Sequence, residues 1–131
     1  MIIDSTFVFD LMRNDPDAFS KGVELVERGE MQWLPAPVVM ETYYGAMTVR
    51  SGRTPDEIRN RLLGYPRLDV DNEVARTAGE LLARADDAEG GDASIGPNDA
   101  YIAAMADILD DAVLTENVDD FEALGVPVET Y

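Results

Sequence analysis

Three acidic side chains stand alone in apolar stretches, although the chain has 27 aspartates and glutamates among its 131 residues. Each is the only charged residue of its stretch: Asp4 in Met1–Phe9, Glu41 in Leu34–Val49, and Asp99 in Ala93–Ala106. Burying a lone carboxylate is costly unless an opposite charge compensates it. We therefore expect the three to meet around a shared cation, and oxygen ligands of this kind suit Mg²⁺ or Mn²⁺.

Such a site could hydrolyse phosphodiesters. Clustered carboxylates repel one another, and a hard divalent ion offsets the repulsion while making water a better nucleophile. A second ion could stabilise the leaving oxygen. We expect Thr115 to take part in catalysis by orienting water or a phosphate oxygen, and we assign Ser5 and Thr6 a weaker role of the same kind.

Each acid also has a plain structural interpretation. Asp4 could only cap the following helix, and Asp99 could only serve the positive end of its own helix. Glu41 lies inside a predicted helix and has no capping role, but it could pair with one of the nine arginines. The metal-site interpretation depends on the three acids occurring together.

Alternating strands and helices must position these residues. We predict strands over 2–3, 31–34, 67–70, 112–115 and 126–129, and helices over 5–13, 15–29, 38–50, 55–64, 71–87, 98–109 and 119–124. Asn98 is the predicted cap of the helix that carries Asp99, and Gly45 would let another backbone or a ligand come close to the helix of Glu41. The alternation indicates an α/β fold with a parallel sheet, which binds ligands at the carboxyl ends of its strands.

The composition restricts the possible catalytic groups and indicates the cellular environment. The chain lacks histidine and cysteine, which excludes imidazole or thiolate metal sites and His-activated nucleophiles. The net charge is −17 and Lys21 is the only lysine, a composition that favours a salt-rich cytoplasm, as in a halophilic archaeon. An acidic protein with a basic partner is the alternative. No apolar run spans a membrane and no secretory signal precedes the first strand, so we expect one cytoplasmic domain over 1–131.

Four segments resemble the PIN-domain ribonucleases, and VapC-type toxins of toxin–antitoxin pairs in particular. The segments are MIIDSTFVFDLM, VVMETYYGA, NDAYIAAMA and VLTENVDDFEALGVPVETY. The resemblance implies a three-layer α/β/α fold with a parallel five-stranded sheet. It implies Mg²⁺- or Mn²⁺-dependent cleavage of RNA, a homodimer, a cognate antitoxin as partner, and Asp4, Glu41 and Asp99 as metal ligands.

The fourth acidic position of that family is where this chain departs. Asn117 stands where many relatives carry aspartate, and Asp120, Glu116 or Asp119 could replace it. Three other functions stay open: a housekeeping PIN nuclease without an antitoxin, a binding module with a degenerate site, and an aspartyl phosphoacceptor at Asp4. The last is disfavoured because a haloacid-dehalogenase-type motif needs a second aspartate where Thr6 stands.

Overall fold

A computed structural model describes residues 1–48 and 52–131, which form five β-strands and seven α-helices. The strands are β1 (Ile2–Ile3), β2 (Leu34–Pro35), β3 (Arg67–Leu68), β4 (Val113–Leu114) and β5 (Val128–Glu129). The helices are α1 (Ser5–Met12), α2 (Pro16–Glu27), α3 (Ala36–Thr48), α4 (Pro55–Leu62), α5 (Asn72–Ala88), α6 (Pro97–Leu109) and α7 (Val118–Ala123). The α/β class is confirmed.

All strand pairs are parallel, but the strands are divided between two sheets. One sheet has the order β1-β4-β5 and the other pairs β2 with β3. A single bridge between Ile2 and Trp33 is the one pairing between them within the described residues. The prediction of one five-stranded sheet is therefore wrong in that form. The bridging residue precedes β2, and Pro35 offers no N–H to extend a ladder.

The core lies around β1 and β4, whose four residues are fully buried, as expected for parallel strands that are covered on both faces. Helix α6 contacts both strands. The middle of this helix consists of small or apolar residues, and all of them are buried: Ile102, Ala103, Ala104, Met105 and Ala106. This packing fixes α6, and hence Asp99 in its first turn, relative to the ends of β1 and β4.

Side-chain caps define several helix starts. Asp15 accepts hydrogen bonds from backbone N–H groups at the start of α2, Asp71 does so for α5, and the Thr54 hydroxyl accepts from the N–H of Glu57 at α4. The predicted cap at Asn98 is wrong. Gly96 is the N-cap of α6 and Pro97 takes the first helical position, where a missing N–H costs nothing.

Two further expectations concern boundaries and membranes. The predicted end of α3 at Arg50 lies outside the described residues, because the description of that helix stops at Thr48. None of the helices in the described parts of the chain has the length and apolarity needed to cross a membrane.

Candidate metal centre at the carboxyl ends of the strands

Asp4 and Thr115 meet because β1 and β4 are parallel neighbours. Ile3 is in register with Leu114, so the next residue of each strand emerges at the same sheet edge. The Asp4 N–H donates to the Leu114 carbonyl oxygen at 3.1 Å, and the Thr115 hydroxyl donates to Asp4 Oδ2 at 2.7 Å. Both side chains are buried, Asp4 with 3% of its surface exposed.

Asp4 directs its carboxylate at hydroxyl groups and makes no side-chain cap to α1, although it occupies the N-cap position. The Thr6 hydroxyl donates to the same Oδ2 atom at 3.3 Å and lies 3.4 Å from the Thr115 hydroxyl oxygen. Thr6 also accepts from the N–H of Glu116 at 3.2 Å. The capping interpretation of Asp4 is therefore not supported, and Thr6 and Thr115 both orient this carboxylate.

Glu41 points from α3 into the same region. The Ser5 hydroxyl donates to Glu41 Oε2 at 3.3 Å, while Oε1 is buried and has no hydrogen-bond partner among the described residues. Burial raises the pKa of the Glu41 carboxyl, and the nearby charge of Asp4 raises it further. No ion pair joins Glu41 to an arginine in the described ranges, so the alternative of a buried pair gains no support there.

Asp99 completes the trio from the first turn of α6. Burial raises the pKa of its carboxyl to about 7, and the charges of Asp4, Glu41 and Asp120 contribute in that order. The three acids that the sequence isolates therefore interact in space, from a strand end and two helices. A mutual repulsion of this kind is typical of functional carboxylate sites.

The structure separates the four candidates for the fourth position. Asn117 and Asp120 lie at the cluster: the Asn117 side-chain amide donates to Asp99 Oδ2 at 3.3 Å and to Asp120 Oδ2 at 3.1 Å. Glu116 and Asp119 are exposed. Asp120 is therefore the acid of this segment that a shared hydrogen-bond donor connects to the predicted trio.

The side chains at this site suit a hard cation by their chemistry, although not by their spacing. In the part of the chain that the structure describes, no three acidic side chains have the spacing of a complete metal-ligand set. The donors are nevertheless all oxygens, and one of them is the buried Glu41 Oε1, which has no partner among the described residues. Burial and, after it, the negative charge of neighbouring acids raise the pKa values of Glu41 and Asp99. A divalent ion would offset that charge and would keep several waters.

Sequence reasoning missed two residues next to this site, Tyr131 and Asp10. The Tyr131 hydroxyl donates to Asp10 Oδ2, and its ring packs edge-on against Phe7 with centroids 5.3 Å apart. Burial raises the pKa of Tyr131, with contributions from Asp10 and Glu116. No pattern in the sequence predicts these contacts of Tyr131. The group close to Gly45 is the Phe9 ring of α1, where we predicted another backbone or a ligand.

Comparisons with known proteins identify the fold. VapBC2 from Rickettsia felis bound to a promoter DNA fragment is 18% identical, with a TM-score of 0.78 over 99% of this chain and 97% of that chain. FitAcB from Neisseria gonorrhoeae is 20% identical, with a TM-score of 0.77 over 97% and 94%. DNA-bound VapBC from Salmonella typhimurium is 22% identical, with a TM-score of 0.76 over 98% and 96%. The predicted resemblance to VapC-type proteins is confirmed at the level of fold.

No curated protein sequence matches the chain. The model of the PIN domain, however, matches residues 1–126, which is nearly the whole chain. The chain belongs to the PIN domain family.

Proposed function

We propose that this protein is a metal-dependent endoribonuclease that acts as the toxin of a type II toxin–antitoxin pair. The proposal is supported by the position of Asp4 after β1 and by the raised pKa values of Glu41 and Asp99, to which the charge of Asp4 contributes. PIN domains are nucleases, so the family supports hydrolysis of phosphodiesters. The specific choice of RNA and of Mg²⁺ or Mn²⁺ is our inference from the family and the oxygen-only donor set.

The chain's own residues supply the binding and the orientation. Asp4, Glu41 and Asp99 would hold the ion, which when bound would act as a Lewis acid on the phosphodiester and make water more acidic. Thr115 and Thr6 fix Asp4, and Ser5 orients Glu41. Hydrolysis joins the water oxygen to phosphorus and breaks the bond to the leaving oxygen, which takes up a proton. Without histidine, that proton comes from water or a carboxyl group.

The acidic surface constrains how RNA is bound. A net charge of −17 offers no broad basic face, so the affinity for phosphates has to come from the divalent ion and a few arginines. We therefore expect RNA binding to depend on divalent ions as strongly as cleavage does. This expectation distinguishes the protein from nucleases that bind RNA through lysine-rich surfaces.

A protein partner is supported by an apolar face. Phe19 and Val26 on α2 are each 67% exposed, and Val23 between them is also exposed. Phe19 borders a groove of about 430 Å³ between α1, α2 and α4, which Leu11 and Tyr65 help to line. An apolar patch of this kind marks an interaction site. We propose that a segment of the antitoxin covers it, and that the single domain 1–131 also forms a homodimer.

A cleavage assay tests the nuclease proposal. Wild-type protein in high salt should cleave total RNA or tRNA in the presence of Mn²⁺ or Mg²⁺, and EDTA should stop cleavage. Asp4→Ala and Asp99→Ala should each abolish it, whereas Asp107→Ala, at an exposed position of α6, should not. Wild-type rates in both site variants would refute the proposal and would leave the binding module with a degenerate site to be considered.

The toxin role needs a separate test. We expect the product of a small adjacent gene to bind the protein and to inhibit RNA cleavage at equimolar ratio. Val26→Asp should weaken that binding while leaving cleavage by the isolated protein unchanged, because this side chain lies on the α2 face and not at the carboxylates. Cleavage without any inhibitory partner would favour the housekeeping PIN nuclease.

A further inference from the structure

Tyr131 packs on one face of α1. Thr6 and Asp10 are about one turn apart in this helix, so their side chains lie on the same face. The Tyr131 hydroxyl donates to Asp10 Oδ2 at 2.5 Å, a length typical of a hydrogen bond to an ionised carboxylate. Its ring meets the fully buried Phe7 ring edge-on, at an interplanar angle of 68°. Two different contacts therefore hold Tyr131 on α1.

The Thr6 end of this face reaches the carboxylates. The Thr6 hydroxyl donates to Asp4 Oδ2 at 3.3 Å and accepts from the N–H of Glu116 at 3.2 Å. Thr6 is also a neighbour of the Tyr131 side chain. Burial and, after it, Asp10 raise the pKa of Tyr131, whereas hydrogen bonding by Thr6 lowers it. Thr6 therefore connects Tyr131 with Asp4.

We propose that Tyr131 is a positioning residue, which anchors the face of α1 that carries Thr6 and so fixes the hydroxyl that orients the Asp4 carboxylate. This inference rests on the metal site of the proposed function. Within the described residues, no hydrogen bond joins the Tyr131 side chain to Asp4 itself. The effect of Tyr131 on a bound cation therefore has to pass through Thr6.

The hydrogen bond of Tyr131 is tested without metal. In NMR spectra of the EDTA-treated protein, its hydroxyl hydrogen should give a slowly exchanging signal at low field, which Tyr131→Phe removes. Asp10→Asn should move this signal to higher field, because the acceptor loses its charge. The absence of such a signal, or a signal that does not respond to Asp10→Asn, would overturn the anchoring.

Tyr43→Phe is the matched control. Tyr43 is a half-buried tyrosine of α3 that packs against the core, and its hydroxyl makes no hydrogen bond in the described part of the chain. The substitution removes a phenol oxygen without removing a partner, so it should leave the Tyr131 signal in place.

Calorimetric titration with Mn²⁺ in high salt tests the positioning role. Thr6→Val removes a group that orients a metal ligand and should weaken binding about tenfold. Tyr131→Phe keeps the ring against Phe7 but removes the hydroxyl, and should weaken binding by a smaller factor, between about twofold and tenfold. Because Tyr131 acts through Thr6, the double variant should bind as Thr6→Val does. Tyr43→Phe should bind as the wild type does.

The outcomes separate a positioning role from a purely structural one. If Tyr131 only stabilised the fold, Tyr131→Phe would lower the free energy of unfolding in urea, while the folded protein bound Mn²⁺ as tightly as the wild type. That result would overturn the inference alone, and so would losses that add in the double variant. A wild type that binds no Mn²⁺ would instead overturn the metal site and, with it, the role of Tyr131.

Discussion

Among the acids of the site, Asp99 has the clearest effect on how the stability of the protein depends on pH. Its pKa of about 7 in the folded protein lies above the value near 4 expected in the unfolded chain. Between these values the folded state binds more protons, so its stability falls as the pH rises. We predict that the metal-free protein loses thermal stability from about pH 4 to about pH 7, and that Mg²⁺ reduces this loss.

Two variants on α6 test whether Asp99 causes this fall of stability with rising pH. Asp99→Asn should flatten the pH dependence of the unfolding temperature in EDTA, because the residue can no longer ionise. Asp107→Asn removes the same charge from an exposed position and should retain the slope. Equal slopes in the two variants would assign the effect to general surface repulsion.

Glu41 allows activity to be separated from stability. Glu41→Gln keeps the size of the side chain and removes a buried charge that Asp4 repels. The proposed function makes Glu41 a ligand of the catalytic ion. Losing one such ligand costs several kcal/mol of transition-state stabilisation, so we predict a fall in RNA cleavage of at least about a hundredfold. The free energy of unfolding in EDTA should be unchanged or higher, as measured by urea denaturation.

Glu27→Gln, at an exposed position of α2, is the control for that substitution and should change neither quantity. A Glu41→Gln protein that cleaves RNA at the wild-type rate in saturating Mg²⁺ would show that this residue is not part of the catalytic site.

The isolation of Asp4, Glu41 and Asp99 in sequence was enough to predict that they interact. An acid without charged neighbours in the chain needs a compensating group from elsewhere in the fold, and in the structure burial and the charge of Asp4 raise the pKa values of Glu41 and Asp99. The same criterion fails in the segment around Asn117, where acids stand at several adjacent positions. Only the side-chain contacts distinguish Asp120 from Asp119 there, and contacts of that kind leave no trace in composition.

Between elements, the approach of α1 to α3 depends on Gly45. A Cβ atom at this position would lie 2.6 Å from Cζ and 3.0 Å from Cε1 of the Phe9 ring. Alanine favours a helix by up to about 1 kcal/mol over glycine, but here the ring would have to move. We predict that Gly45→Ala destabilises the protein by about 1–2 kcal/mol in urea denaturation and lowers cleavage, because α1 follows Asp4 and α3 carries Glu41.

Gly79 of α5 provides the matched control, since nothing lies within 4 Å of the Cβ position there. Gly79→Ala should stabilise the protein by about 0.5–1 kcal/mol and leave activity unchanged. If the two substitutions had the same effect, the contact with Phe9 would have no energetic role.

Helices were predicted more closely than strands, for a physical reason. Caps at Asp15, Thr54 and Asp71 act on N–H groups two or three residues away, so the local sequence contains both partners. Strand lengths depend on distant pairing. The segment 31–34 was predicted as a strand, yet Trp33 makes only one bridge to β1 and β2 starts at Leu34.

At the scale of the molecule, the net charge of −17 should make stability depend on salt. Added ions screen repulsion among dispersed acids, so we predict that the unfolding temperature rises between about 0.1 M and about 2 M KCl. Salt also weakens the ion pairs of Lys21 and Arg28 with Glu129, which lowers stability, but these pairs involve few groups. The halophilic origin stays a prediction that this measurement addresses.

A charge variant gives the corresponding control. Replacing Asp87 and Asp107, both exposed, by lysine would make the net charge less negative and should make the dependence on KCl shallower. Full stability of the wild type in dilute buffer would contradict the inference of salt adaptation.

The pairing of β1 with β4 has a consequence for synthesis on the ribosome. Asp4 and the Thr115 hydroxyl that orients it are separated by 111 positions in the chain. β1 is translated early but gains its neighbour β4 only after most of the chain has been made, and contacts between distant segments form late in folding. A nascent chain therefore carries Asp4 and Glu41 for most of translation without an assembled site. For a nuclease that attacks RNA, this order of events would protect the ribosome that is making it.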